Sequence, residues 1–239
     1  MTAPRSRTGN QYADFIDATI LPDLATRTPL WLALTTVAVN AAVGSLRASM
    51  DDEHHWDIIG LTTFGILMGL GGGFIRDFLV GNLPVESLRT PWFLTTVLVS
   101  ILVVLVLGQW LVRVSRLVTM MNALALGLFA VVGTACALRA ELPVISALFV
   151  GVVSAVGGGV LVSVLKGEIP GILLASAPNA LVALLASAVY AVTQVWDSEV
   201  AGLAGVVAAI AAHYVTRWLG LRTRPATGAG ALLLTRSKD

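Results

Sequence analysis

Two glycine triplets, Gly71-Gly72-Gly73 and Gly157-Gly158-Gly159, stand 86 residues apart in this chain. The residues after them are also alike. Gly81 and Pro84 after the first triplet correspond to Gly167 and Pro170 after the second, and from Gly71 to Leu88 against Gly157 to Leu174 seven of 18 positions are identical. Three successive glycines cost a helix roughly 1 kcal/mol each relative to alanine and strip three positions of side chains. Such a site predicts a bend or break that frees carbonyl oxygens, and carbonyl dipoles at membrane depth suit a partly dehydrated monovalent cation. The competing reading of the same residues is close helix packing.

Charged residues beside the triplets could act on such a path. Arg76 and Asp77 form an adjacent charge pair within one apolar segment. A buried arginine is costly in a bilayer and must face protein or water. Arg76 lies three and four residues after Gly73 and Gly72, so its side chain leans back over that face, where it could bond freed carbonyls or gate by charge. Residues i and i+1 diverge on a helix, so Asp77 is expected to pair on another helix. The second copy has Val162-Ser163 at these positions, and its cation is Lys166, four residues further on. Pro84 and Pro170 are expected to end the two segments. Asn40, Asn122 and Asn179 are amides in or at the edges of three other segments, suited to inter-helix hydrogen bonds or to lining a path.

These residues need helices to hold them. The 239 residues are 56% hydrophobic and 12% charged, against about 25% charged in a soluble domain. Seven apolar segments, 30–46, 58–82, 92–112, 117–138, 142–166, 172–192 and 200–219, are each long enough for a bilayer crossing of about 20 helical residues, the first only barely. The fold class is therefore an all-α integral membrane protein of seven transmembrane helices. Residues 1–29 form a polar N-terminal segment with a short surface helix between Tyr12 and Leu24 as one reading. Residues 30–112 and 113–192 are two three-helix repeats, 193–219 holds the seventh helix, and 220–239 is a tail expected to lack structure. Three spans is an odd number, so the second repeat enters from the opposite side, as an inverted repeat. In the seventh segment, Gly202, Gly205, Ala208, Ala209 and Ala212 make a small-residue stripe for packing.

Arg47, Arg113, Arg116, Lys166, Arg217, Arg222 and Arg224 fall on one side, which is therefore expected to be cytoplasmic, placing the N-terminus outside and the C-terminus inside the cell membrane. A net charge of +1 suggests no nucleic acid partner. The single cysteine, Cys136, rules out an internal disulfide, and the three histidines form no metal pattern. No nucleotide-binding GK[ST] loop and no catalytic Ser/His/Asp or His/Glu cluster occurs within the spans, so neither an enzyme, a metal site nor a cofactor is expected.

The run Gly71-Gly72-Gly73-x-x-Arg76-Asp77-x-x-x-Gly81-x-x-Pro84, the seven-segment layout and the second triplet together resemble the prokaryotic branch of the trimeric intracellular cation (TRIC) channels. The resemblance covers about residues 30–219. It implies a homotrimer in the lipid membrane, with a pore in each protomer lined by kinked second and fifth helices, passing potassium or other monovalent cations passively. Bacterial relatives of this domain are also described as possible glycine transporters, so a secondary transporter for glycine or another small amino acid is the alternative, with Arg76 as a candidate carboxylate ligand. A scaffold whose glycines only pack helices is a third reading.

Overall fold

The computed structural model describes residues 30–51, 54–113, 115–174, 178–223 and 234–236. The expected surface helix between Tyr12 and Leu24 lies outside them. The chain runs through α1 (Leu30–Ser49), α2 (Ile58–Val80), a one-turn α3 (Glu86–Arg89), α4 (Pro91–Arg113), α5 (Ser115–Arg139), α6 (Val144–Leu165), a 3-10 turn (Gly171–Leu173), α7 (Asn179–Thr193) and α8 (Ser198–Trp218). Six helices are long and apolar enough to cross a membrane, and α7 is a shorter apolar helix.

α5 is the most enclosed span. One apolar cluster joins Leu32 of α1, Leu128, Val131 and Val132 of α5, Tyr190 of α7 and Val206 of α8. The small-residue stripe of α8 lies against α5 and α7, as its composition predicts: a Cβ on Gly205 would lie 2.6 Å from Val131 Cγ2 and 3.0 Å from the Ala186 carbonyl oxygen. By contrast, α4 leaves Leu98, Leu102 and Val106 exposed, an apolar face that a bilayer or another apolar surface must cover.

Three expectations are corrected. First, the sixth segment is a 15-residue helix, Asn179–Thr193, preceded by the 3-10 turn. It spans only about 22 Å at 1.5 Å per residue. Pro178 lacks a backbone donor and stands at the N-cap, so the helix starts there rather than bending through it. Second, the long helices do not end at the prolines. α2 stops at Val80, where Gly81 turns left-handed at φ 76°, with the Asn82 N–H donating to the Asp77 carbonyl at 2.8 Å. α6 stops the same way, with Gly167 at φ 72° and the Glu168 N–H on the Ser163 carbonyl at 2.9 Å. Glycine adopts that conformation without a Cβ penalty, so it ends both helices three residues before Pro84 and Pro170. Third, the tail expected to lack structure contains a short antiparallel pair, β1 (Leu221–Thr223) and β2 (Leu234–Arg236), with Leu221 opposite Arg236.

Candidate functional site

Neither glycine triplet breaks its helix. α2 runs unbroken from Ile58 to Val80 and α6 from Val144 to Leu165. The expected release of carbonyls does not occur, and Arg76 therefore has none to bond. The physical reason is the medium. An unsatisfied backbone group away from water costs several kcal/mol, more than the roughly 1 kcal/mol per glycine that keeps the helix intact.

The triplets instead let α2 and α6 cross at backbone distance. A Cβ on Gly72 would collide with the Ser154 carbonyl oxygen, and one on Gly158 would lie 2.8 Å from that of Met68. Gly158 is 86 residues after Gly72, and Ser154 is 86 after Met68. Leu161 closes over Gly71, and Ile75, its counterpart at the same offset, closes over Gly157. The helices beside the crossing repeat the pattern. Gly44 of α1 lies against Phe64 and Met68 of α2, and Gly133 of α5 lies against Val150 and Ser154 of α6. Each of these glycine contacts in the first half thus recurs in the second.

The third glycine of each triplet behaves differently. For Gly73 and Gly159 the nearest outside atom to an added Cβ would be 3.9 Å away, Arg76 Nη2 in one case and Met68 Sδ in the other. Gly159 lines a cavity of about 270 Å3, and Gly73 lines one of about 20 Å3. The walls correspond. Ala33, Thr36 and Val37 of the small cavity match Asn122, Ala125 and Leu126 of the large one at an offset of 89, and Gly69, Leu70 and Phe93 match Ala155, Val156 and Asn179 at 86. The sizes differ because the contents differ. Phe93, Phe129 and Arg76 fill the small cavity, whereas Asn179, Asn40 and Asn122 stand around the large one.

All three asparagines singled out in the sequence therefore meet in one place. Asn40 Nδ2 donates to the Thr36 carbonyl at 2.9 Å, and Asn122 Oδ1 accepts from Arg47 Nη2 at 2.6 Å. Asn179 Oδ1 is buried without a hydrogen-bond partner. Arg47 and Ser163, which carried no site role in the sequence, line the same cavity. Arg47 sits in the last turn of α1, where an arginine ordinarily reads as an interfacial anchor. Its spacing to the triplet motif held no signal, because the equivalent position in the second half is Cys136. Among the described residues each cavity thus holds one arginine, contributed by non-equivalent positions.

Arg76 is buried and does pair with its neighbour, contrary to the expectation from helix geometry. Its Nε donates to Asp77 Oδ1 at 2.8 Å and its Nη2 lies 2.7 Å from the same oxygen. A long guanidinium can fold back where a shorter cation could not. Asp77 Oδ2 accepts from the Glu86 N–H at 2.9 Å, and Arg76 Nη2 stands 3.8 Å from Glu86 Oε2. The pair thus fastens α2 to the start of α3. As expected, the Arg76 side chain leans back over Gly73.

Lys166 does not share that arrangement. It lies just past α6, where its Nζ meets Asp51 Oδ2 at 2.9 Å and Glu168 Oε1 at 2.5 Å. Asp51 Oδ2 also accepts from Trp56 Nε1 at 2.7 Å. The hydrogen bond to Glu168, then that to Asp51, holds the Lys166 ammonium above the usual lysine range against the opposing effect of burial. Lys166 therefore straps the α1–α2 loop to the end of α6, away from the glycine crossing. Among the described residues no group of three or more His, Cys, Asp or Glu side chains could hold a metal ion.

Comparison with known proteins fits this arrangement. A UPF0126 membrane protein of Deinococcus radiodurans is 31% identical over 122 residues, 51% of this chain and 55% of that protein. The UPF0126 inner membrane protein YadS of Escherichia coli K12 is 28% identical over 123 residues, 51% of this chain and 58% of that one. The match thus spans little more than half the length of these curated relatives. Together with the six long apolar helices, these membrane relatives make the chain a multi-pass membrane protein. Among solved structures, one described as the structural basis for conductance through TRIC cation channels superposes with a TM-score of 0.72 at 25% identity, covering 84% of this chain and 98% of the other. The TRIC trimeric intracellular cation channel orthologue from Rhodobacter sphaeroides gives a TM-score of 0.71 at 28% identity, over 82% and 98%. The all-helical membrane fold expected from the resemblance is therefore the one observed, though without the expected breaks in the second and fifth long helices. A family profile described as "Glycine transporter" matches residues 30–109 and 119–195, one stretch in each half and about two thirds of the whole, and the chain belongs to that family.

Proposed function

We propose that this protein is a passive pathway for monovalent cations, potassium among them, with one path through each protomer of a homotrimer in the cell membrane. The observation that carries the reading is the α2–α6 glycine crossing set between two corresponding cavities, in a fold shared with TRIC cation channels over nearly their whole length. In this reading the halves are inverted repeats, and the path runs from the large cavity past Gly159 to Gly73 and the small one. The arginine count supports a large cavity on the cytoplasmic side and an N-terminus outside, and the exposed apolar face of α4 suits lipid. On this reading the side chains of Met68, which lines the large cavity, and of Leu70 and Phe129, which line the small one, close the path at the crossing.

A second reading, a carrier for a small amino acid, is favoured by the inequality of the cavities. One side open to about 270 Å3 and the other to about 20 Å3 is the shape of one state of an alternating-access carrier.

Liposomes holding the purified protein test both. Voltage-driven potassium flux without saturable uptake of radiolabelled glycine supports the channel, and the reverse result supports the carrier. Gly73→Val and Gly159→Val place bulk where an added Cβ finds room. On the pore reading both reduce potassium flux while the protein keeps its oligomeric profile. Unchanged flux in both variants removes the path from the glycine crossing.

A further inference from the structure

We infer that Phe129 is the gate of the path proposed above, a hydrophobic plug seated in the small cavity with Phe93, which must move for a cation to pass. The inference deepens the pathway reading and rests on it. It starts from the correspondence between the halves. Gly44 and Gly133 align α1 with α5 at an offset of 89, and the triplets align the later helices at 86. At the first offset Phe129 takes the place of Asn40, and at the second Phe93 takes the place of Asn179. Both asparagines line the large cavity, and both phenylalanines line the small one. Equivalent places in the fold thus carry two amides on one side of the crossing and two aromatic rings on the other. At these two positions the difference between about 270 Å3 and about 20 Å3 follows from residue type.

The small cavity suits a hydrophobic gate. A buried water needs several polar partners, and apolar voids stay dry. Among the polar residues lining it, Thr36 Oγ1 already donates to the Leu32 carbonyl at 2.7 Å, and Arg76 is held by Asp77. The two rings, with Val37 and Leu70, line it with apolar surface. A hydrated cation meets there a constriction of the kind that gates by dewetting. The two rings are held differently. Phe93 is fixed in the apolar cluster with Val37, Leu70 and Val97. Phe129 leans on the glycine triplet: its Cε1 would stand 3.3 Å from a Cβ added to Gly72, and Gly73 lines the same cavity. Glycines offer no side chains to interlock with the ring. Phe129 is therefore the residue that moves, and Phe93 belongs to its seat.

The test pairs potassium flux with the access of a cationic methanethiosulfonate to the small cavity, both on the full chain in liposomes. For access, Gly73→Cys in a Cys136→Ala background places the one thiol in the cavity wall. Phe129→Ala should speed its modification roughly tenfold or more, since a buried phenylalanine no longer has to be displaced. The same change should raise voltage-driven potassium flux, Phe129→Leu should raise it less, and Phe129→Trp should lower it. Leu128→Ala is the control: it opens a void in a core cluster on the same helix but lines neither cavity. It should leave both readings unchanged. The reverse exchange, Asn40→Phe, should lower flux from the other side of the crossing. Modification that Phe129→Ala leaves unchanged, or that Leu128→Ala raises equally, overturns the inference whatever the flux. Faster modification with no potassium flux in any of the proteins overturns the pathway reading and leaves the plug in place.

Discussion

Gly158 lies directly under the main-chain carbonyl of Met68, so close that a Cβ there would stand 2.8 Å from the oxygen. The obstructing atom is helix backbone and cannot swing away. Gly158→Ala, and Gly72→Ala against Ser154, should therefore each destabilise the protein by the ~1–3 kcal/mol typical of overpacking. Gly73→Ala and Gly159→Ala, with 3.9 Å of room, should be neutral or stabilise by up to ~1 kcal/mol. Thermal unfolding of the four variants in detergent checks the contrast. Equal losses in all four would mean that alanine disturbs the helices generally rather than at the crossing.

The Arg76–Asp77 pair should behave as a unit. Asp77→Ala leaves a buried guanidinium with only the more distant Glu86, at 3.8 Å, and should cost ~3–5 kcal/mol as broken buried pairs do. Arg76→Leu combined with Asp77→Leu should cost less than the two single changes summed, because no lone charge remains. A double-mutant cycle read by thermal unfolding gives the coupling, and strict additivity would show that the pair is not coupled.

The Lys166 strap carries a pH signature. Its folded-state pKa is raised, so its contribution is fully present below the ordinary lysine value and declines as pH rises through the higher folded one. Lys166→Gln should lower stability by no more than ~1 kcal/mol at neutral pH, given its partly exposed partner Glu168. The gap between wild type and variant should hold up to about pH 10 and close only above it. A gap that closes near neutral pH would assign the strap to another group.

Much of this arrangement was legible in the chain. The repeated glycines marked the two helices that cross, since a triplet is costly in a helix unless something needs the space. The asparagines in spans one, four and six converge on one cavity. Whether glycine breaks a helix or packs it was not legible, because both outcomes use the same residues. The neighbours decide, and Met68 and Ser154 are ordinary apolar-segment residues in sequence. Arg47 was hidden for a similar reason, as a cation at a helix end has the composition of an anchor. The shortness of α7 followed from Pro178, but an apolar run that continues through a turn is indistinguishable by hydropathy from one that continues through a helix.

On the proposed path, the large cavity would also reshape the electric field of the membrane. Its wall at Gly159 adjoins the crossing in which α2 and α6 touch backbone to backbone. A transmembrane voltage falls mainly across whatever is least polarisable, so a water-filled cavity there would concentrate it over this crossing rather than spread it evenly over the full hydrocarbon thickness. A single charge crossing there is worth about 2.3 kcal/mol per 100 mV. On that path, a displacement of a few ångströms by an ion between the cavities would therefore couple to membrane potential more strongly than the same displacement in an unrecessed bilayer.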